Sequence, residues 1–378
     1  MLVLNPGSST LKYQLVDPDS ARAEVTGLVP RIGSDDVRDH AAALAAMRED
    51  LAAHRIDADA LLAVGHRVVH GGPRLVRPTV VDDDVLAEID ALSRLAPLHN
   101  PPAVAGIRSA REQFPDTPQV AVFDTAFFAG LPPAAATYAL DRELAAREEI
   151  RRYGAHGTSH EYVAGEAARF LGRPVEDLDQ IVLHLGNGAS AAAIRGGGPV
   201  DTSMGLTPLE GLVMGNRGGD VDPGVLLHLL RHGDLDVDGL EDLLHHRSGM
   251  LGLTGTTDFR DIAAALAAGE QVVRTAYDVY CHRLRKYVGA YLAVLGGADV
   301  ITFTAGIGEH VARVRSDALE GLERLGIEVD RARNDSAEQG ARRISTDSSA
   351  VEVLVVPTNE ELAIARQVAA LLRSPRSS

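Results

Sequence analysis

A single cysteine, Cys281, stands in 378 residues. No intrachain disulfide can form, which fits a reducing compartment. Cys281 lies in a helical pattern, AYDVYCHRLRKYVGAYLAVL, and reads as ordinary packing. No stretch approaches the ~20 apolar residues of a membrane-spanning helix. No basic segment precedes the first apolar run, as a secretory leader would require. Positive charge is short too: 37 Lys and Arg stand against 53 Asp and Glu, for a formal net charge of −16. Such a chain is a poor wrapper of nucleic acid, yet it can hold a local cationic site for a small anion. Several catalytic signatures are also missing. The chain has no G-x-x-x-x-G-K-[ST] loop, no paired H-R-D and D-F-G, no G-x-S-x-G elbow and no zinc-ligand spacing.

What is present is a chain with 45% hydrophobic residues, enough for proper cores, and a length that implies two domains or more. Apolar runs of strand length recur: MLVL, KYQLV, LLAVGHRVVH, QVAVF, QIVLHL, SAAAI, DVITFT and VEVLVV. Helical patterns lie between them. Residues 82–95 place Val85, Ile89 and Leu92 on one stripe behind an Asp-rich start. Asn100 reads as an N-cap with Pro101 at the first helical position. Thr158 with Glu161, and Thr358 with Glu361, read as capping boxes, and Gly172 reads as a helix stop. Alternating strands and helices mean an α/β fold. The chain also echoes itself. MLVLNPGSSTLKYQLV and IVLHLGNGASAAAI (181–194) share a strand, Gly-turn, strand pattern, and QVAVFDT (119–125) resembles DVITFTAG (299–306). Both offsets are about 180, which suggests a duplicated lobe. Ligands are usually held at strand ends and turns in such folds.

Candidate site residues sit in polar loops. Asn5, Ser8, Thr10 and Lys12 surround a glycine between the first two apolar runs; they form either a surface turn or a loop that grips an oxyanion. Gly186-x-Gly188-x-x-Ala191 follows a strand, but a short strand and not a helix comes next. This is a hairpin whose amides can cradle phosphate, not a dinucleotide fingerprint. Arg67 precedes Gly71-Gly72, Arg217 lies in MGNRGGD, and His156 stands between Gly154 and Gly157. For each, the plain alternative is an exposed or structural side chain. Asp124 ends a strand, and Glu360 opens a helix. Both can hold Mg²⁺ through water, although a helix start also favours acids through its dipole.

Ten segments, from NPGSSTLK (5–12) through GHRVVHGG, LAPLHNPP, VFDTAFF, YGAHGTSH, HLGNGAS, TSMGLTPLEGLVMGNRGGD, DFRD and FTAGIGE to VPTNEELAIA (356–365), resemble the acetokinase family. That family belongs to the superfamily of actin, heat-shock chaperones and sugar kinases. The resemblance implies two duplicated actin-like, ribonuclease H-like lobes with ATP in a cleft: 1–128 plus 359–378, and 129–358. It implies reversible, direct in-line transfer between ATP and acetate, giving ADP and acetyl phosphate, with Mg²⁺ or a substituting Mn²⁺, in a cytoplasmic homodimer. It assigns Asn5 and Glu360 to the metal, and Ser8, Thr10 and Lys12 to a phosphate loop. Arg67, Asp124, His156 and Arg217 become catalytic. His184, Asn187 and Gly188 fall in a second phosphate hairpin, and Asp258, Phe259, Arg260, Gly306, Ile307 and His310 at the adenosine. Val69, Leu98, Ala155 and Pro208 line the acyl pocket. Two positions depart from the pattern: Ala155 stands where Phe is usual, and His310 where Asn is common. The acceptor carboxylate, with a pKa of roughly 4–5, is already ionised at pH 7. No general base is needed, so Asp124 reads as an organiser of metal or water. Alternatives are a kinase for propionate or another short-chain acid, and a non-enzymatic actin-like or chaperone-like ATP-binding protein.

Overall fold

The computed structural model describes residues 1–7, 10–57 and 60–374. The chain divides into two compact units. One comprises Met1–Ala129, Ala155–Ser159 and Asn359–Ser378; the other comprises Gly130–Gly154 and His160–Thr358. The short segment 155–159 groups with the first unit, whereas the sequence reading left it in the second lobe.

The first unit is built on six strands: β1 (Leu2–Pro6), β2 (Thr10–Val16), β3 (Ala23–Pro30), β4 (Val64–Val68), β5 (Thr79–Val80) and β6 (Gln119–Phe123), in the order β3-β2-β1-β4-β6-β5. β1, β2 and β3 form an antiparallel meander, and β4 and β6 run parallel to β1. Every residue of β6 is buried, as expected of a parallel strand covered on both faces. Helices Asn100–Gln113 and Glu360–Arg373 pack on this sheet. The latter lies so close to β4 that a Cβ on Gly65 would sit 2.9 Å from Ile364 Cγ2. That contact fixes where the helix begins, and so where Glu360 stands.

The second unit has β7 (Asp179–Leu185), β8 (Ala189–Arg195), β9 (Gly198–Thr202), β10 (Val300–Thr304), β11 (Arg342–Arg343) and β12 (Glu352–Val355), in the order β11-β12-β10-β7-β8-β9. Renumbered from its own start, this is the order of the first sheet, so the duplication is real at the level of topology. One of the two sequence echoes was mispaired. β1 does correspond to β7. β10, however, neighbours β7 as β4 neighbours β1, so DVITFTAG is the counterpart of β4, and the counterpart of QVAVFDT is β12. Short apolar strands look alike in sequence; only the pairing distinguishes them. Cys281 is buried in the long helix Gln271–Leu295. No helix among the described residues is long and apolar enough to cross a membrane.

Candidate active site

In the first unit, the carboxyl ends of three parallel strands bring Asn5, Arg67 and Asp124 together. Leu4 pairs with His66, and Val68 with Phe123, so the next residues along emerge side by side. Arg67 Nε donates to both Asp124 oxygens at 3.2 and 3.1 Å, and Nη2 donates to Oδ2 at 2.6 Å. Nη1 donates to Asn5 Oδ1 at 3.3 Å. Glu360 Oε2 lies 3.5 Å from Arg67 Nε. Asp124 is 1% exposed, Arg67 18% and Glu360 17%. Burial works against the Arg67 charge, but the carboxylates of Asp124 and Glu360 overcome it and hold the guanidinium above its ordinary range. Burial raises the Glu360 carboxyl, and Arg67 only partly offsets this. Lys12, expected on a phosphate, has its ammonium 2.6 Å from Glu361 Oε1.

Three carboxylates (Asp124, Glu360, Glu361) thus face two cations, Arg67 and Lys12. The cluster is short of positive charge, and Glu360 carries the strain. Its oxygens, with Asn5 Oδ1, are the hard donors that Mg²⁺ takes, usually one or two carboxylates completed by water and phosphate. The donor set fits such an ion. No group of three or more His, Cys, Asp and Glu able to hold a metal occurs among the described residues. A protein cage of that kind is not what Mg²⁺ requires.

Segment 155–159 is pressed onto Asp124. Gly157 N donates to Asp124 O at 3.0 Å, and a Cβ there would lie 2.1 Å from that oxygen. Thr158 Oγ1 donates to Asp124 Oδ1 at 3.3 Å. Thr158 is therefore not a cap; it lies inside the helix Gly157–Leu171 and steadies the carboxylate. His156 is half-buried, with φ +59°, a left-handed conformation that histidine adopts more readily than most non-glycine residues. Asn100 is not an N-cap either. It is fully buried, accepts from His70 N at 3.2 Å, and donates to His70 O at 3.0 Å and Ile89 O at 3.3 Å, so it pins the loop after Val69. Val69 is half-buried, Ala155 buried and Leu98 exposed. Thr10 opens β2, and its carbonyl accepts from Gly7 N at 2.7 Å; Ser8 lies outside the described residues. At the final helix the cap is Asn359, whose side chain accepts from Leu362 N at 3.0 Å, and not Thr358.

In the second unit, β7 and β8 form the expected hairpin. His184 is buried on it, and Gly186 N donates to Gly188 O at 3.0 Å. His160 and Ser190, both fully buried, hydrogen-bond beside it at 2.7 Å. Burial, and next the neighbouring His184, keep His160 neutral. Asn187 O accepts from Gly215 N at 2.8 Å, which joins the hairpin to the loop carrying Arg217. Arg217 Nη1 donates to the Pro208 carbonyl at 2.8 Å, and among the described residues no carboxylate pairs with it. Burial alone lowers this guanidinium to about 10. It is a cation desolvated without a counter-ion, the state an anionic ligand relieves.

Asp258 caps the helix Phe259–Ala267 and grips the Arg260 side chain, with Nη2 2.5 Å from Oδ2; these bonds pull its carboxyl down to about 2. The Phe259 ring is buried edge-on to Tyr280, with centroids 5.1 Å apart. It supports the segment from beneath. Gly306, Ile307 and His310 lie on the short helix Ala305–His310, with Gly306 and His310 exposed. Sequence reasoning missed what holds this helix. Fully buried Arg315 donates to the carbonyls of Gly308 and Glu309, both at 2.9 Å. Nothing in the local sequence separates Arg315 from its exposed neighbours.

The chain matches the model of the acetokinase family over residues 33–366. It is similar to acetate kinase from Porphyromonas gingivalis, with 37% identity, 98% of this chain and 99% of that chain covered, and a TM-score of 0.93. It is as similar in sequence to a propionate kinase from Francisella tularensis subsp. tularensis SCHU S4: 37% identity, 97% and 98% covered, TM-score 0.91. Acetate kinase from Entamoeba histolytica follows at 31% identity, with 99% of each chain covered and a TM-score of 0.89.

Proposed function

Because the chain belongs to the acetokinase family and is a kinase that transfers phosphate to a carboxylate, we propose that it catalyses reversible phosphoryl transfer from ATP to acetate. The products are acetyl phosphate and ADP. The observation that carries this reading is Arg217, a half-buried guanidinium with no carboxylate partner among the described residues. Family membership sets aside the non-enzymatic alternative.

The difficulty of the reaction is electrostatic. An ionised carboxylate approaches an anionic phosphate, and charge spreads over the equatorial oxygens in the transition state. Arg67 and Arg217 would answer that charge. Arg67 is oriented by Asp124 and Asn5, and Arg217 by the Pro208 carbonyl. Arginine suits both places, because it stays protonated and presents a planar fork of donors. With the acceptor already ionised, Asp124 removes no proton; its work is to fix Arg67. Asn5 and Glu360 would hold Mg²⁺, which when bound shields the phosphate charge. The hairpin at Asn187-Gly188 and the segments at Asp258 and Gly306 would take the nucleotide. Val69, Leu98, Ala155 and Pro208 would line the acyl pocket, where an alanine in place of the family's usual phenylalanine would admit propionate beside acetate. We place the enzyme in the cytoplasm as a homodimer. The support for self-association is the helix Pro223–His232, which carries Val225, Leu227 and Leu230 exposed and buries no residue.

Hydroxylamine trapping tests the reaction directly. With MgATP and acetate the enzyme should yield acetyl hydroxamate; ATP hydrolysis without trapped acyl phosphate would reject the reading. Propionate and butyrate in parallel set the acyl preference.

A further inference from the structure

The loop carrying Arg217 is held from both sides by backbone hydrogen bonds. On one side, Gly215 N donates to Asn187 O at 2.8 Å, and a Cβ on Gly215 would lie 1.9 Å from Asn187 Oδ1. On the other, Ser248, Met250 and Leu251 donate from the start of the short helix Gly249–Thr254 to the carbonyls of Asn216, Met214 and Gly215, at 3.2, 2.9 and 2.7 Å. Met214 and Met250 are fully buried at this seam. Between these bonds sits Gly249, with φ +62°. A Cβ there would meet Met214 O at 2.4 Å, Arg217 O at 2.7 Å and Arg217 N at 2.8 Å. All three are backbone atoms, so no side chain can swing away to make room.

We infer that Gly249 is a positioning residue for Arg217: its missing side chain lets the helix start seat directly under the arginine's own peptide and aim the guanidinium. The inference rests on the reading that Arg217 contacts the transferred phosphate. Any Cβ at residue 249 must push the loop by about 1 Å to restore ordinary contact. A misplacement of that size costs roughly 10²-fold in a reaction governed by positioning.

The same helix supplies a matched control. Gly255 ends it at φ +79°, with nothing within 4 Å of a Cβ built there. Gly255→Ala carries the positive-φ strain without the thrust on the loop. Gly249→Ala should lower kcat ~10- to 100-fold with KM for ATP little changed, while Gly255→Ala stays within about twofold of wild type. In an Arg217→Ala background, Gly249→Ala should cost nothing further, since its route to the reaction is already gone. An equal kcat for the two glycine variants, or an additive loss in the double variant, overturns the inference. A fully active Arg217→Ala would instead remove the arginine from the reaction, a separate failure. If Gly249→Ala does not fold, amide exchange on the wild type decides. Acetyl phosphate should slow exchange at Met250 and Leu251 in wild type but not in Arg217→Ala, and unchanged exchange in wild type refutes the coupling.

Discussion

Replacing Arg217 with lysine separates charge from geometry at a place where the structure supplies the magnitude. Burial takes this guanidinium from ~12.5 to about 10. At about 1.4 kcal/mol per pKa unit, the charged form is disfavoured by about 3 kcal/mol, yet arginine still remains protonated at pH 7. Lysine begins lower, at ~10.4, and the same burial would bring it to ~8. Its charge would be present below that pH and lost above it. Arg217→Lys should therefore show a kcat that falls about tenfold per pH unit above pH ~8, starting from a level already reduced because the planar fork is gone. Wild type should show no such limb, and Arg217→Ala should be ~10³-fold slower or worse at every pH. The assay is a pH–rate profile for hydroxamate formation between pH 6 and 9. A flat profile for the lysine variant, or near-normal turnover for the alanine variant, would refute the argument that a desolvated charge at this residue drives the reaction. The alanine variant should also melt no lower than wild type, since it removes a partly desolvated charge that has no carboxylate partner among the described residues.

Other outcomes follow from the same geometry. Asp124→Ala removes the carboxylate hydrogen-bonded to Arg67, leaving Glu360 at 3.5 Å as its counter-ion, and should cost about 1.5–3 kcal/mol in the first unit, visible as faster amide exchange in β4 and β6, together with loss of activity; normal exchange would show that the pair is not structural. Glu360→Gln should raise the Mg²⁺ concentration giving half-maximal rate, and an unchanged Mg²⁺ dependence would exclude Glu360 from the metal. Ala155→Phe should lower the propionate/acetate ratio of kcat/KM, by up to ~200-fold if the lost space is filled; an unchanged ratio removes residue 155 from acyl selection. His66 is fully buried, and burial pushes it down to about 4 against the support of Gln119. It stays neutral in the fold while an unfolded histidine protonates near 6.5. The stability it preserves is complete above pH 6.5 and is lost as pH falls towards 4, by up to about 3 kcal/mol. Amide exchange in β4 should accelerate over that range in wild type and less so in His66→Gln; parallel curves would contradict it.

Where the sequence misled, a side chain had a distant partner. Asn100 and Thr158 carry the right chemistry for helix caps, and local rules place them there. Their oxygens and amides bind instead at His70 and Asp124, residues 30 and 34 positions away. Thr358 gives way to Asn359, whose side chain reaches the Leu362 amide. The pairing of Lys12 with Glu361, which the start of the last helix brings against it, was likewise invisible in the sequence. The mispaired echo has the same origin, since a five-residue apolar strand does not say which neighbour it will take.

Local pattern determined the strands and most of the helices, the Gly-turn hairpins and the α/β class, because each depends on periodicity and turn chemistry within a few residues. It also singled out Arg67, Asp124 and Arg217 as unusual residues in their settings. Tertiary structure alone decided their electrostatic states. Arg67 is neutralised because two parallel strands end together beside the first turn of a helix from the far end of the chain. Arg217 is left as a half-buried cation because a glycine-lined seam seats its loop where, among the described residues, no carboxylate pairs with it. Burial and counter-ion are properties of the neighbours in space, and a sequence does not state which those are.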